Sequence, residues 1–402
     1  NWENPEVRQE IFDMMRFWFD KGIDGFRMDS ISLIAKDPSF PLIDSKKYPD
    51  IFSFYAKEPR LHLYLHEMNR QVLSKYDCMS VGEGSAVMVD DVAKFVDPAR
   101  EELNMLYHFD AARIRNTTLP DNPESGIDYS LIALKKMFTE WDKAVDKGWP
   151  SIYLGNHDQP RMVSRFGSDK DEFRALSAKM LITFLLTMRG TPYWFAGDEI
   201  GMRNIRFDRI EDYNDIDTIN RYKKAKAEGK DPQAVLDEQK ETGRDNARTP
   251  FQWDRSPEAG FTAGTPWLKV NPDYTWINVA DEEKDPTSIL NYFKKVVSFR
   301  KENPSLIYGS YHLLDAENPQ SYTFLRKTGA DTYLIMLNFS PKAAISTPGI
   351  DMSNAHVLLD NYGDRSHMAP QKDITLRPFE AIVFQLNHPV YESFIDSLDL
   401  LE

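Results

Sequence analysis

Ile23-Asp24-Gly25-Phe26-Arg27-Met28-Asp29 is a short, mostly apolar run that ends on a carboxylate and lies between two helical patterns. Upstream, Asn4 is placed to cap a helix over 4–21, with Pro5 at its first position and Glu6 in its first turn. Val7, Ile11, Met14, Met15 and Trp18 give that helix an apolar stripe, and Gly22 ends it. Downstream, Pro59 to Lys75 repeats the helical spacing and leads into a second apolar run, Cys78-Met79-Ser80-Val81-Gly82-Glu83. The alternation continues with Leu103 to Asp110, a helix over 129–146, Ser151 to Asp158, a helix over 171–189, and Thr191 to Glu199. Short strands alternating with amphipathic helices predict βαβ units and a parallel sheet. Asp29, Glu83 and Asp158 all fall at the ends of such strands. Reactive groups gather at the carboxyl ends of strands in parallel α/β architectures, so a (β/α) barrel is the expected fold.

Outward from this repeat the pattern changes twice. Residues 203–285 are rich in charge, as in Tyr222-Lys223-Lys224-Ala225-Lys226-Ala227-Glu228, and predict a long excursion with short surface helices. A last barrel-type helix is expected over Pro286 to Lys301. From about 308 the pattern changes to alternating strands. Runs at 311–314, 322–326, 332–338, 356–359 and 381–386 are separated by Asn318-Pro319, Gly329-Ala330-Asp331 and Gly363-Asp364, which predicts an antiparallel β-sandwich domain. The expected division is a barrel portion over 1–305 and a β domain over 306–402.

Composition narrows the partners. With 49 basic and 63 acidic residues, the formal charge of -14 repels nucleic acid and anionic membranes and suits a neutral ligand. No apolar run reaches the ~18 residues that a membrane span needs. The single cysteine, Cys78, excludes an intrachain disulfide and points to a reducing, cytoplasmic setting, with the thiol expected to be buried in a strand.

Two carboxyl groups flanking one bond are the requirement for glycoside hydrolysis, one attacking or activating water and the other protonating the leaving oxygen. Arg27 precedes Asp29 by two, on the same face of a strand, where a guanidinium would keep Asp29 ionised and aimed. Glu83 follows Val81-Gly82 in a more apolar setting, which suits an acid held protonated. Taken singly, an Arg-x-Asp is usually a salt bridge and a terminal Glu a loop anchor. Their order and spacing along one repeat are what favour chemistry.

Gly25-Phe26-Arg27-Met28-Asp29, Val81-Gly82-Glu83 and Asn156-His157-Asp158-Gln159-Pro160-Arg161 resemble three signature segments of the α-amylase superfamily. Gly243-Arg244-Asp245-Asn246-Ala247-Arg248-Thr249-Pro250-Phe251-Gln252-Trp253, Gly260-Phe261-Thr262 and Trp276-Ile277-Asn278-Val279 resemble segments of its oligo-1,6-glucosidase, α-glucosidase and sucrose isomerase branch. The resemblance implies Asp29 as nucleophile, Glu83 as acid/base and Asp158 as the group that binds glucose hydroxyls and stabilises the transition state. It implies that Arg27 and His157 support the same subsite, and that Arg244 or Arg248 binds hydroxyls, Arg244 being preferred. Phe109 and Tyr107 are candidates for stacking on the acceptor sugar and read equally well as core residues.

The resemblance also implies what is absent. Barrel strands one to three and the domain inserted after the third have no counterpart in the sequence, so the chain is expected to hold strands four to eight of a (β/α)8 TIM barrel plus the β domain. The remaining part of the barrel, on the same or a nicked chain, is the expected partner, and this segment alone is expected to be inactive and prone to aggregate. No cofactor is expected in this chain, because the calcium site often found in the subgroup lies near the first strand. Ser30, directly after Asp29, is small, and Gly84 after Glu83 is smaller than the usual methionine; both are expected to open the acceptor side and favour an α-1,4 bond or mixed α-1,4 and α-1,6 specificity. His108-Phe109-Asp110-Ala111-Ala112-Arg113-Ile114-Arg115-Asn116 lacks the Arg-Asp-rich pattern of sucrose isomerases, which points to hydrolysis or glucosyl transfer instead. The non-catalytic relatives of this fold lack parts of the carboxylate set that this chain keeps.

Overall fold

The computed structural model describes residues 1–48, 50–329, 331–365 and 372–386. Residues 387–402 of the expected β domain and Ala330 of its expected turn lie outside the described residues. The chain divides into two compact units, one of Asn1–Arg113 with Lys136–Ile152, the other of Ile114–Lys135 with the described chain from Tyr153 onward.

In the first unit, helix Pro5–Asp20 is capped as expected: Glu6 N–H donates to Asn4 Oδ1 at 2.9 Å. Its buried face, however, is Phe12, Met15 and Phe19, while Met14 and Trp18 are about half exposed, at 46% and 47%. The sequence carries two overlapping apolar stripes, and the aromatic one wins. Phe19 stacks on Tyr76 at 4.4 Å and meets Phe26 edge-on at 4.9 Å, pinning the helix to the strand that follows it. That strand is β1 (Gly25–Met28); β2 (Met79–Glu83) and β3 (Met105–Tyr107) lie beside it in a parallel sheet of order β1-β2-β3. Helix Arg60–Gln71 connects β1 to β2 and buries Leu61, Tyr64, Leu65 and Met68. Cys78 falls just before β2 and is half-buried, not a buried strand residue as expected; burial still raises its thiol pKa, so it is not an activated nucleophile.

The second unit is built around helix Arg174–Thr187, whose sequence is apolar on every side. One side packs on helix Ile289–Glu302 and another on the antiparallel sheet, where Phe184 meets Tyr322 at 5.3 Å and Phe339 at 5.9 Å. After the two-residue strands β4 (Ser151–Ile152) and β5 (Thr191–Pro192), strands β6 (Ser310–Leu314), β7 (Ser321–Thr328), β8 (Asp331–Asn338), β10 (His356–Asp360) and β12 (Ala381–Leu386) form that sheet in the order β10-β12-β8-β7-β6, antiparallel throughout. Two short strands that the sequence reading omits, β9 (Ala344–Ser346) and β11 (Ile374–Leu376), pair with each other. The charged stretch folds as expected into surface helices, Ile216–Ala227 and Pro232–Thr242, over a small core of Phe207, Tyr213, Leu236 and Leu268.

Candidate active site

The register of the parallel sheet sets the first cluster. Arg27 lies opposite Val81 and Met28 opposite Gly82, so Asp29, one step on, comes level with Glu83; Glu83 in turn lies opposite Tyr107. Three adjacent strands therefore end at one level, with a side chain of different chemistry at each end. Arg27 joins them. Its Nη1 donates to Asp29 Oδ1, its Nη2 to Glu83 Oε2 at 2.8 Å, and its Nε to the Tyr107 hydroxyl at 2.8 Å. The two carboxylates differ sharply in exposure. The Asp29 side chain is 78% exposed and that of Glu83 only 9%.

The chain reverses immediately after Asp29. Ser30 adopts a left-handed backbone, φ 44° and ψ 32°, which costs a non-glycine residue of the order of 1 kcal/mol. The turn aims the Ser30 N–H back at Glu83 Oε2, at 2.9 Å. Ser85 Oγ donates to the other oxygen at 3.4 Å. The apolar setting expected for Glu83 is thus only partly realised: the side chain is buried, but its carboxylate meets a guanidinium, an amide and a hydroxyl.

Gly84 does not open space. A β-carbon there would come within 2.6 Å of Leu106 Cδ2 and 2.9 Å of the Tyr107 carbonyl oxygen, and the Gly84 N–H donates to that carbonyl at 2.9 Å. Glycine lets the chain leaving β2 lie this close to β3. Phe109 is half-buried and packs edge-on against Tyr107 at 6.0 Å. Burial, and after it the Glu83 charge, pushes the Tyr107 hydroxyl up to about 12, so it stays a phenol. His108, between these two, is buried and stacked on Trp141 at 3.7 Å; burial pushes it down to about 3, and it takes no proton at neutral pH.

The second cluster surrounds Asp158. Asn156 Oδ1 accepts from the Asp158 N–H at 2.9 Å, making a tight turn that presents the carboxylate. Asp158 is held by His157 Nε2 at 3.1 Å and Arg248 Nη2 at 2.8 Å, and Arg248 Nε also donates to the His157 carbonyl at 2.8 Å. Arg244 stands farther away, 3.6 Å from Asp158 Oδ1, and its Nη2 donates to Asp215. Direct contact with the Asp158 carboxylate thus belongs to Arg248, while Arg244 is held by Asp215. Asp215, absent from the sequence reading, is the second anchor of both arginines. Burial alone would raise its carboxyl, but hydrogen bonds from Arg244 and Thr218 overcome this and hold it below the usual range. Asp245 fixes the approach by accepting from Asn214 and Asp215 N–H at 2.7 and 2.8 Å. An aspartate in a charged surface stretch carries no local pattern that would have marked it.

Among the described residues no group of three or more His, Cys, Asp or Glu is arranged to hold a metal ion, and no helix is long and apolar enough to cross a membrane.

Two carboxylates held on one guanidinium at adjacent parallel strand ends are the kind of pair that glycoside hydrolysis requires, and by its family the chain is a glycoside hydrolase. The chain belongs to the alpha-amylase family: residues 1–309 match its description, "Alpha amylase, catalytic domain". It is 47% identical over 399 residues to an oligo-1,6-glucosidase of Parageobacillus thermoglucosidasius, covering 97% of this chain and 70% of that protein. A trehalose-6-phosphate hydrolase of Bacillus subtilis is 38% identical, over 97% of this chain and 69% of its own length. Among solved structures, isomaltulose synthase SmuA from Protaminobacter rubrum superposes with a TM-score of 0.89 at 37% identity, covering 96% of this chain and 70% of that one.

Proposed function

We propose that the protein is an exo-acting, retaining α-glucosidase that removes terminal glucose from short α-1,4- or α-1,6-glucosides through a covalent glycosyl-enzyme. Asp29 and Glu83 on one guanidinium carry this reading. A single Arg27 fork spans both, which suits the ~5–5.5 Å separation of a double displacement better than the ~6.5–9.5 Å that leaves room for an inverting water. In this reading Asp29 attacks the anomeric carbon, and Glu83 protonates the leaving oxygen and then activates water. Asp158, with His157, Arg244 and Arg248, binds glucose hydroxyls, and Ser30 and Phe109 border the acceptor sugar. The fold underneath is the portion of a (β/α)8 barrel from strand four to strand eight, over 1–305, with the β domain starting at 306. Displacement and protonation both run on carboxyl groups, so the reaction needs no cofactor from this chain.

Incubation of the intact protein with maltose, isomaltose and sucrose, followed by NMR of the first-formed glucose, tests this. Release of the α-anomer is expected; β-glucose would overturn the retaining reading. Because the chain superposes on an isomaltulose synthase, sucrose discriminates a second reading: hydrolysis gives glucose and fructose, isomerisation a rearranged disaccharide.

A further inference from the structure

We propose that Tyr107 is a positioning residue for the carboxylate pair, its hydroxyl fixing the Arg27 guanidinium that Asp29 and Glu83 share. The inference rests on the functional reading above and adds to it a residue outside the expected catalytic set. Arg27 offers five N–H donors in a rigid plane on a long flexible stem. Nη1 serves Asp29, Nη2 serves Glu83 at 2.8 Å, and the Tyr107 oxygen takes Nε at 2.8 Å together with a second bond from Nη2. A neutral acceptor on the near edge of the fork thus leaves its outer edge to the two acids. Without it, the stem torsions let the guanidinium swing toward either carboxylate at the expense of the other.

The backbone makes the placement possible. Tyr107 ends β3 directly opposite Glu83, so phenol and acid rise from one level of the sheet, and Phe109 braces the ring from the side. The guanidinium carbon sits 5.6 Å from the ring centroid, so a phenylalanine in this place would keep the ring contact and lose only the oxygen. Titratable groups facing the hydroxyl are Arg27, Glu83 and Asp29, and a phenol kept neutral adds no competing charge to the pair.

Tyr107→Phe in the intact protein tests this. We expect kcat to fall about 10- to 100-fold with KM little changed, the scale of a misplaced reacting group. The acidic limb of the kcat/KM profile should move to higher pH as the guanidinium loosens. Combining the change with Arg27→Lys gives a second readout: lysine has no fork to be fixed, so Tyr107→Phe should then add little further loss. An unshifted acidic limb, or losses that simply multiply in the double variant, would overturn the proposal. Asp29→Asn keeps the two ideas apart. If that variant stays active, the carboxylate reading itself falls; if it is inactive while Tyr107→Phe keeps the parent profile, only the role of Tyr107 falls.

Discussion

Ser30 meets Glu83 through its backbone. Its amide is the donor that reaches Glu83, and its left-handed φ of 44° is what aims it. Ser30→Gly keeps the N–H and relieves the strain, so activity should persist and the melting temperature should hold or rise. Ser30→Pro removes the donor and forces φ to about -65°, and should lower kcat by ~100-fold or more. Equal effects of the two changes would show that the amide does not matter. Asp29→Asn removes the nucleophile and should cost ~10⁴-fold in kcat, read with a good leaving group to bypass protonation. Glu83→Gln should lose far more on an alkyl glucoside than on a nitrophenyl one, because only the former needs the acid. At this scale the sequence offered the candidate acids and only part of what holds them: Arg27 was legible two residues from Asp29, whereas Tyr107, Asp215 and the Ser30 amide are joined to the acids only by folding.

The elements were legible where an apolar run had the length of one element between clear breaks, as in helix Arg174–Thr187 and in β7 and β8, which are buried on both faces and show no period. Two expected strands proved shorter. Of Ser151 to Asp158 only Ser151–Ile152 is strand, because the Asn156 side chain captures the Asp158 amide and makes a turn. Of Thr191 to Glu199 only Thr191–Pro192 is strand; Pro192 donates no hydrogen bond, and Gly197 turns the chain at φ 104°. Helix Arg174–Thr187 ends in a way no periodicity announces. Arg300 donates to the carbonyls of Leu186, Met188, Gly190 and Leu306, and Arg326 to those of Thr187, Leu306 and Gly309, so two buried guanidiniums satisfy the carbonyls at and beyond the helix C-terminus. Arg300→Met fills much of the volume but strands those carbonyls, and should destabilise the protein by about 2–4 kcal/mol in chemical unfolding. A change below about 0.5 kcal/mol would show that the carbonyls find other partners.

For the molecule as a whole, one buried acid should tie stability to pH. Asp198 is buried with its Oδ1 meeting no donor, and burial pushes its carboxyl up to about 7 against the opposing pull of Arg161. An unfolded aspartate titrates near 3.8. Between these values the folded protein keeps a proton that the unfolded chain has lost, so the stability this group contributes is complete below about pH 4 and lost as pH rises through 7. Asp198→Asn, neutral at every pH, should flatten the fall in melting temperature from pH 4 to 7; an unchanged slope would show that Asp198 is charged throughout. Composition spoke for this scale only in part. The formal charge of -14 fits a neutral sugar ligand, but nothing in the linear sequence showed where the two compact units would divide or that an acid would be buried beside Arg161.

Covalent capture of the sugar on Asp29 tests the central claim most directly. A fluorinated glucosyl fluoride that forms the glycosyl-enzyme faster than it is hydrolysed should leave one hexosyl adduct, found by peptide mass spectrometry on the fragment carrying Asp29 and absent in Asp29→Asn. Continued turnover with no adduct, or an adduct on another residue, would contradict it.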